Sequence, residues 1–310
     1  MERYERILVC IDRSVYDGPL LTYAGGRSRA AVSKEVHFLH ILDDTERVSY
    51  DTPEGSPPPT DLTREALQAL VAEHFNGHGH EHLLCEVIRG SSLIEILRYA
   101  HEKDVDLIIL GRHYGRRVET DDEAVLARRI TRKATCSVLV LPEEYQLQAN
   151  TIVVPVRDSE CSARALEVAC DIAATTGATV AALNVFHLGS GYSRIGNTLE
   201  EHQALLEAAA TRECARLIKR TDTHGVNVEC KCTPDCYGKP VPVILEELGS
   251  GQGRAVVIGA RGRTGAAGVL LGTVTEQLIR KSPSPVLAVK KKGECVGVLR
   301  ALLVIAGPED

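Results

Sequence analysis

The chemistry-bearing stretch of this 310-residue chain is a glycine-rich loop. Gly259, Gly262, Gly265, Gly268 and Gly272 fall within fourteen residues, directly after the apolar run Val256, Val257, Ile258. Glycines at that density let a backbone approach a ligand closely and adopt conformations that a Cβ forbids. Thr273 follows, with Glu276 three residues on, a pattern that predicts a capping box and hence the start of a helix. A helix N-terminus presents N–H groups without intrahelical partners and a partial positive charge, which suits an anion. Arg261 and Arg263 add cations to the same loop. Strand, glycine loop and helix start together read as a phosphate cradle, most simply for a nucleotide. The bland alternative is a tight strand-to-helix crossover whose glycines serve packing alone.

The spacing is Gly259, two residues, Gly262, nine residues, Gly272-Thr273. It resembles the nucleotide motif of the universal stress protein family, G-x2-G-x9-G-[ST]. The VTEQLIRKSPSPVLAV that follows resembles that family's helix and closing strand. The resemblance implies ATP as the ligand, with or without magnesium. It places Gly259 and Gly262 around the ribose and phosphates. It has Gly272, Thr273 and Val274 donate backbone N–H groups, together with the Thr273 hydroxyl, to the phosphates. Val185 matches the residue whose main chain reads adenine. Val156 and Arg157 end the first strand of this unit, where the family carries an aspartate near the nucleoside. Here the aligned residue is Arg157, with Asp158 next to it. Two outcomes stay open for Arg157, a lost nucleoside contact or a gained phosphate contact.

The chain contains the same unit twice. Residues 107–111 (LIILG) align with 255–259 (AVVIG), 138–141 with 286–289, and 7–12 with 152–157. The first copy keeps Asp12 and Gly111. It puts Tyr114, Ala124 and Val125 where Gly262, Gly272 and Thr273 stand, and its loop adds Glu119, Asp121, Asp122 and Glu123. A carboxylate about 5 Å from a phosphate costs on the order of 3 kcal/mol at an effective dielectric near 20. The first copy is therefore expected to reject triphosphates, leaving one nucleotide per chain.

The elements that must position these residues follow from apolar periodicity. Strands are expected at 7–11, 36–42, 83–88, 106–111 and 137–141, with helices at 18–31, 61–75, 93–101 and 124–133. Residues 43–60, with Pro53, Pro57, Pro58 and Pro59, read as a surface loop. In the second copy, strands are expected at 151–156, 179–186, 226–232, 256–258 and 286–289. Its helices are expected at 161–176, 198–223, 241–248 and from Thr273. Strictly alternating strands and helices imply parallel sheets with right-handed crossovers. The fold class is α/β: two tandem Rossmann-like (HUP-type) domains, each a five-stranded parallel sheet with helices on both faces. The expected boundaries are 1–145, 149–291 and a C-terminal extension over 292–310. The closing strands 138–141 and 286–289 are expected at sheet edges. In the resembling family such strands pair, which implies an intrachain pseudo-dimer, with a further homodimer left open.

Trp is absent and aromatic residues are 4%, so the cores must be built from Val, Leu, Ile and Ala. A net charge of −6 argues against broad binding to nucleic acid or anionic membranes. No apolar run approaches eighteen residues and no leader precedes the first strand, so a cytoplasmic protein is expected. Cys230, Cys232 and Cys236 form C-x-C-x3-C, a candidate zinc or redox site. Without a fourth ligand in the segment they are expected to be structural. His74, His78, His80 and His82 cluster and are expected to be solvated. No nucleophile elbow, phosphate-loop lysine or H-E-x-x-H is present, which argues against a fast ATPase. The expectation is an ATP-binding regulator or sensor of stress. A nucleotide-free scaffold and a slow ATP hydrolase or nucleotidyl transferase are the alternatives.

Overall fold

A computed structural model describes residues 4–42, 59–77, 79, 82–113, 124–189, 198–235, 238–249, 253–260 and 271–293. The proline-rich loop 43–58, the histidines at 78 and 80, Cys236, both glycine-loop regions (114–123 and 261–270) and 294–310 lie outside the described residues. So do Tyr114, Arg261, Gly262 and Arg263.

The first half runs β1 (Arg6–Ile11), α1 (Asp17–Ala31), β2 (Glu35–Leu42), α2 (Pro59–His74), β3 (His82–Arg89), α3 (Ser92–Glu102), β4 (Leu107–Gly111), α4 (Val125–Lys133) and β5 (Ser137–Leu141). The second runs β6 (Thr151–Pro155), α5 (Glu160–Thr176), β7 (Thr179–His187), α6 (Leu199–Arg220), β8 (Val228–Asp235), α7 (Pro240–Leu248), β9 (Arg254–Gly259), α8 (Thr273–Lys281) and β10 (Val286–Val289). Every expected element is present, most bounds moving by a residue or two. The helix expected at 61 begins at Pro59, because proline's fixed φ and missing N–H suit a first turn; Asp61 is inside the helix rather than capping it. At α1, Gly25 is tolerated mid-helix because a Cβ there would lie 2.8 Å from the Asn76 backbone.

All pairings within each half are parallel. The strand order is β3-β2-β1-β4-β5 in the first half and β8-β7-β6-β9-β10 in the second. The registers repeat: Ile7 sits opposite Val36 and Leu107, and Ile152 opposite Val180 and Ala255. The strands are apolar runs because helices cover both faces of a parallel sheet. Ile7, Leu8, Val9, Ile108 and Ile109 in one half and Val153, Val154, Val256 and Val257 in the other are buried. By contacts, one compact unit takes in residues up to Glu143 with the segment from Lys290, and the other runs from Glu144 to Val289. No described helix is long and apolar enough to cross a membrane.

Candidate functional site

In each half the strand order reverses next to the first strand, between β1 and β4 and between β6 and β9. Open α/β sheets bind ligands at the carboxyl ends of strands beside such a reversal.

In the second half that place is bounded by the ends of β6, β7 and β9 and the start of α8. Ala260 N–H donates to Val289 O at 3.0 Å and Gly272 N–H donates to Ala260 O at 2.9 Å. The two feet of the glycine loop are thus tied together. Gly272 is the N-cap of α8 and makes no side-chain capping bond. The capping box expected from Thr273 and Glu276 is not formed. Thr273 is already the first helical residue and is exposed, so its hydroxyl lies past the capping position. The hydroxyl that matters structurally is Thr275, 2% exposed, which donates to Gly259 O at 3.1 Å and fixes the helix start to the end of β9. The N-cap residue therefore supplies no side-chain acceptor to the first turn of α8. A true capping box exists elsewhere, at α6: Glu201 N–H donates to Thr198 Oγ1, and Thr198 N–H to Glu201 Oε2.

Gly259 has a packing reason. A Cβ there would come within 2.8 Å of both Cys161 Cβ and Cys161 O, so α5 could not sit where it does against β9. The N-terminus of α5 is closed by its own chain, Ser159 accepting from Ser162 N–H at 3.1 Å. Of the two helix starts flanking the β6–β9 reversal, α8 alone lacks a side-chain cap.

Arg157 reaches from the end of β6 to β7. Its Nη2 donates to Val185 O at 3.0 Å, at the carbonyl expected to face adenine. Val156 is buried and its N–H donates to Leu183 O, so it joins the ladder. Asp158 does not substitute for the missing aspartate. Its carboxylate pairs with Arg220 at 3.0 Å and its N–H donates to Glu213 Oε1. Gly272 and Val274 are half-buried at the loop foot.

The equivalent place in the first half is filled differently. By strand register His40 stands where Asn184 stands; it is 4% exposed, and its Nδ1 bonds to Ile11 O at 2.8 Å. A carbonyl can only accept, so Nδ1 carries the proton. Asp12 Oδ1 accepts from Ser14 N–H at 3.0 Å. His113 Nε2 lies 2.6 Å from Glu143 Oε1, and the His113 and Tyr16 rings are 5.5 Å apart. Asp17 is 2% exposed. Burial, then the neighbouring Asp12 carboxylate, pushes its carboxyl up to about 7. Asp12, Ser14, Tyr16, Asp17, His113 and Glu143 line a cavity of about 20 Å³, about the room a water molecule needs. Three carboxyl groups (Asp12, Asp17, Glu143) face it, which opposes an anion.

Neither His40 nor the His113–Glu143 pair stood out in the sequence. The offset of the opening strands puts residue 40 on residue 185, whereas the strand registers put it on Asn184, so nothing in the sequence marked His40. Among the described residues, no group of three His, Cys, Asp or Glu side chains is arranged to hold a metal ion. His74 instead packs its ring against Gly18.

Comparison with known proteins agrees with this architecture. Universal stress protein MJ0531 of Methanocaldococcus jannaschii is 30% identical over 142 residues, 45% of this chain and 81% of that protein. A universal stress protein from Archaeoglobus fulgidus superposes with a TM-score of 0.65 at 17% identity, covering 94% of this chain and 98% of that one. A universal stress protein from Pseudomonas aeruginosa gives 0.61 at 17% identity, covering 97% and 98%. These two likenesses are of fold. The model of the universal stress protein family matches residues 3–142 and again 149–290. With the same parallel α/β unit matched twice along one polypeptide, this chain belongs to the universal stress protein family as a tandem of two domains.

Proposed function

We propose that the second domain, 149–291, binds an adenine nucleotide, ATP, and that the chain acts as a nucleotide-dependent regulator or sensor in a stress response. The observation that carries this reading is the start of α8. Its N-cap residue, Gly272, supplies no side-chain cap, Thr275 and Gly272 tie it to the end of β9, and Arg261, Gly262 and Arg263 lie in the sequence between. A phosphate supplies the acceptors that a capping side chain supplies elsewhere. Gly259, Gly272, Thr273 and Val274 line the phosphate end, and Val156, Arg157 and Val185 the base end. The first domain, with three carboxyl groups in the matching place, leaves one nucleotide per chain.

A second reading, a nucleotide-free scaffold, draws on a specific bond. Arg157 already donates to the Val185 carbonyl, so adenine must displace it or leave that acceptor to it. Mass spectrometry of nucleotide extracted from the purified full chain, followed by calorimetry, separates the two. One bound ATP per chain is expected. Gly262→Asp should weaken it by about a hundredfold or more, about 2.7 kcal/mol, while Tyr114→Asp leaves it unchanged. Absence of extractable nucleotide with flat titrations favours the scaffold. Two equivalent sites would overturn the assignment to the second domain.

A further inference from the structure

The nucleotide reading leaves unused a pair of thiols on β8. Cys230 and Cys232 alternate with Lys231 along this outermost strand of the second half, so they share one face of the sheet. Lys231 is on the other face, paired with Glu247 of α7. The cysteine face is covered by α6. Cys232 packs beside Phe186, Leu188 and Ala210, and Thr211 Oγ1 donates to its sulfur at 3.6 Å. The two sulfurs are 3.9 Å apart. Cys230 is exposed and Cys232 half-buried, so a small oxidant reaches the first and the second waits beside it. Beneath them Cys214 of α6 is buried, its thiol directed to Ala182 O.

We infer that Cys230 and Cys232 form a reversible dithiol–disulfide site that takes a hydroperoxide as its oxidant. The Cys230 sulfur attacks one peroxide oxygen; the S–O bond forms, the O–O bond breaks, and the other oxygen leaves as water or alcohol with a proton. Cys230 is then a sulfenic acid. The Cys232 sulfur displaces its hydroxyl, which takes up the Cys232 proton and departs as a second water, and the S–S bond forms. Two thiols lose two electrons and the peroxide gains them. The Thr211 hydroxyl, donating to the Cys232 sulfur, stabilises negative charge as that sulfur becomes the nucleophile. Burial raises the Cys232 thiol above its ordinary value, which makes it the slower, second partner.

The strand geometry says what kind of disulfide results. Two positions along an extended strand lie about 6.6 Å apart, at the long end of the Cα separations a disulfide spans. Closure must buckle β8 at Lys231. Within its own half that strand is paired on one side, to β7, so it can yield. A bond formed this way is readily reduced, as suits a regulatory site. Lys231 sits opposite Leu183, so the buckle falls two residues from Val185 at the proposed base end of the nucleotide site. The redox site itself does not depend on that site being real.

The wild-type sequence makes the test clean. Trypsin together with a protease that cuts before aspartate places Cys214, Cys230, Cys232 and Cys236 on four separate fragments, because Arg216, Lys231 and Asp235 fall between them. The native full chain is treated with hydrogen peroxide, alkylated, digested and weighed. The expected result is a cross-linked pair of the Cys230 and Cys232 fragments, dominant over other products and lost on dithiothreitol. Cys230→Ser should abolish it. Cys232→Ser should leave Cys230 as a sulfenic acid that a dimedone probe captures. A cross-link to the Cys214 or Cys236 fragment instead would overturn the pairing. Independent oxidation of each thiol to sulfinic acid, with no cross-link, would overturn the site.

Discussion

The two halves share a backbone and differ in what occupies the crevice where their strand order reverses. In the second half the strand-end glycine is sterically obligatory, since a Cβ at Gly259 would strike Cys161 at 2.8 Å. In the first half a Cβ at the matching Gly111 would meet, among the described residues, nothing closer than Leu20 Cδ1 at 3.8 Å, an ordinary contact. The second half ties the end of β9 to the start of α8 through Thr275; the first has Ala127 at that position and lines the crevice with Asp12, Asp17 and the His113–Glu143 pair. Duplication preserved the scaffold because the sheet cores demand it. The crevice side chains, which contribute little to those cores, were free to diverge. The fold does not by itself confer a ligand; its side chains decide.

The largest expected contrast is between the two glycines. Gly259→Ala should cost about 2 kcal/mol through overpacking against α5, whereas Gly111→Ala should stay within about 0.5 kcal/mol. Urea melts of the two variants check it, and equal losses would break the asymmetry.

Next comes the base end of the second crevice. Arg157→Asp frees the Val185 carbonyl and restores the carboxylate at the end of β6, so ATP affinity by calorimetry should rise by about tenfold, about 1.4 kcal/mol. Weaker binding would mean that the arginine reaches phosphate and that its bond to Val185 gives way when ligand arrives.

The smallest effect belongs to the first crevice and depends on pH. Asp17 has an ordinary value of 3.8 and is raised to about 7 in the fold, so the native state favours its protonated form. The stabilisation this brings is complete below about pH 4. It is lost as pH rises from there through 7, because the folded chain then binds more protons than the unfolded one. Asp17→Asn cannot ionise. Its melting temperature relative to wild type should therefore climb between pH 5 and pH 8, by on the order of 1 kcal/mol or about 2–4 °C. A difference that is flat with pH would show that Asp17 is ionised throughout.

Much of this was legible in the sequence. The alternation of apolar runs and amphipathic stretches, the constant offset between the copies and the spacing of the glycines are all local or periodic features. They fixed the α/β class, the duplication and the place of the loop, because a buried parallel strand must be apolar wherever it occurs. Local rules failed where two patterns compete within a few residues. Thr273 and Glu276 satisfy the capping-box pattern, yet Gly272 takes the cap, and Thr275 makes the bond to β9. What the tertiary structure alone decided are the meetings between distant residues. Arg157 finds the carbonyl of Val185, His40 that of Ile11, and Asp158 is drawn away to Arg220. Cys161 presses on Gly259 from another element, and Cys214 lies beneath the thiol pair of β8. Such contacts are set by how helices seat on a sheet, through close packing over tens of residues of separation, and no pattern along the chain encodes them singly.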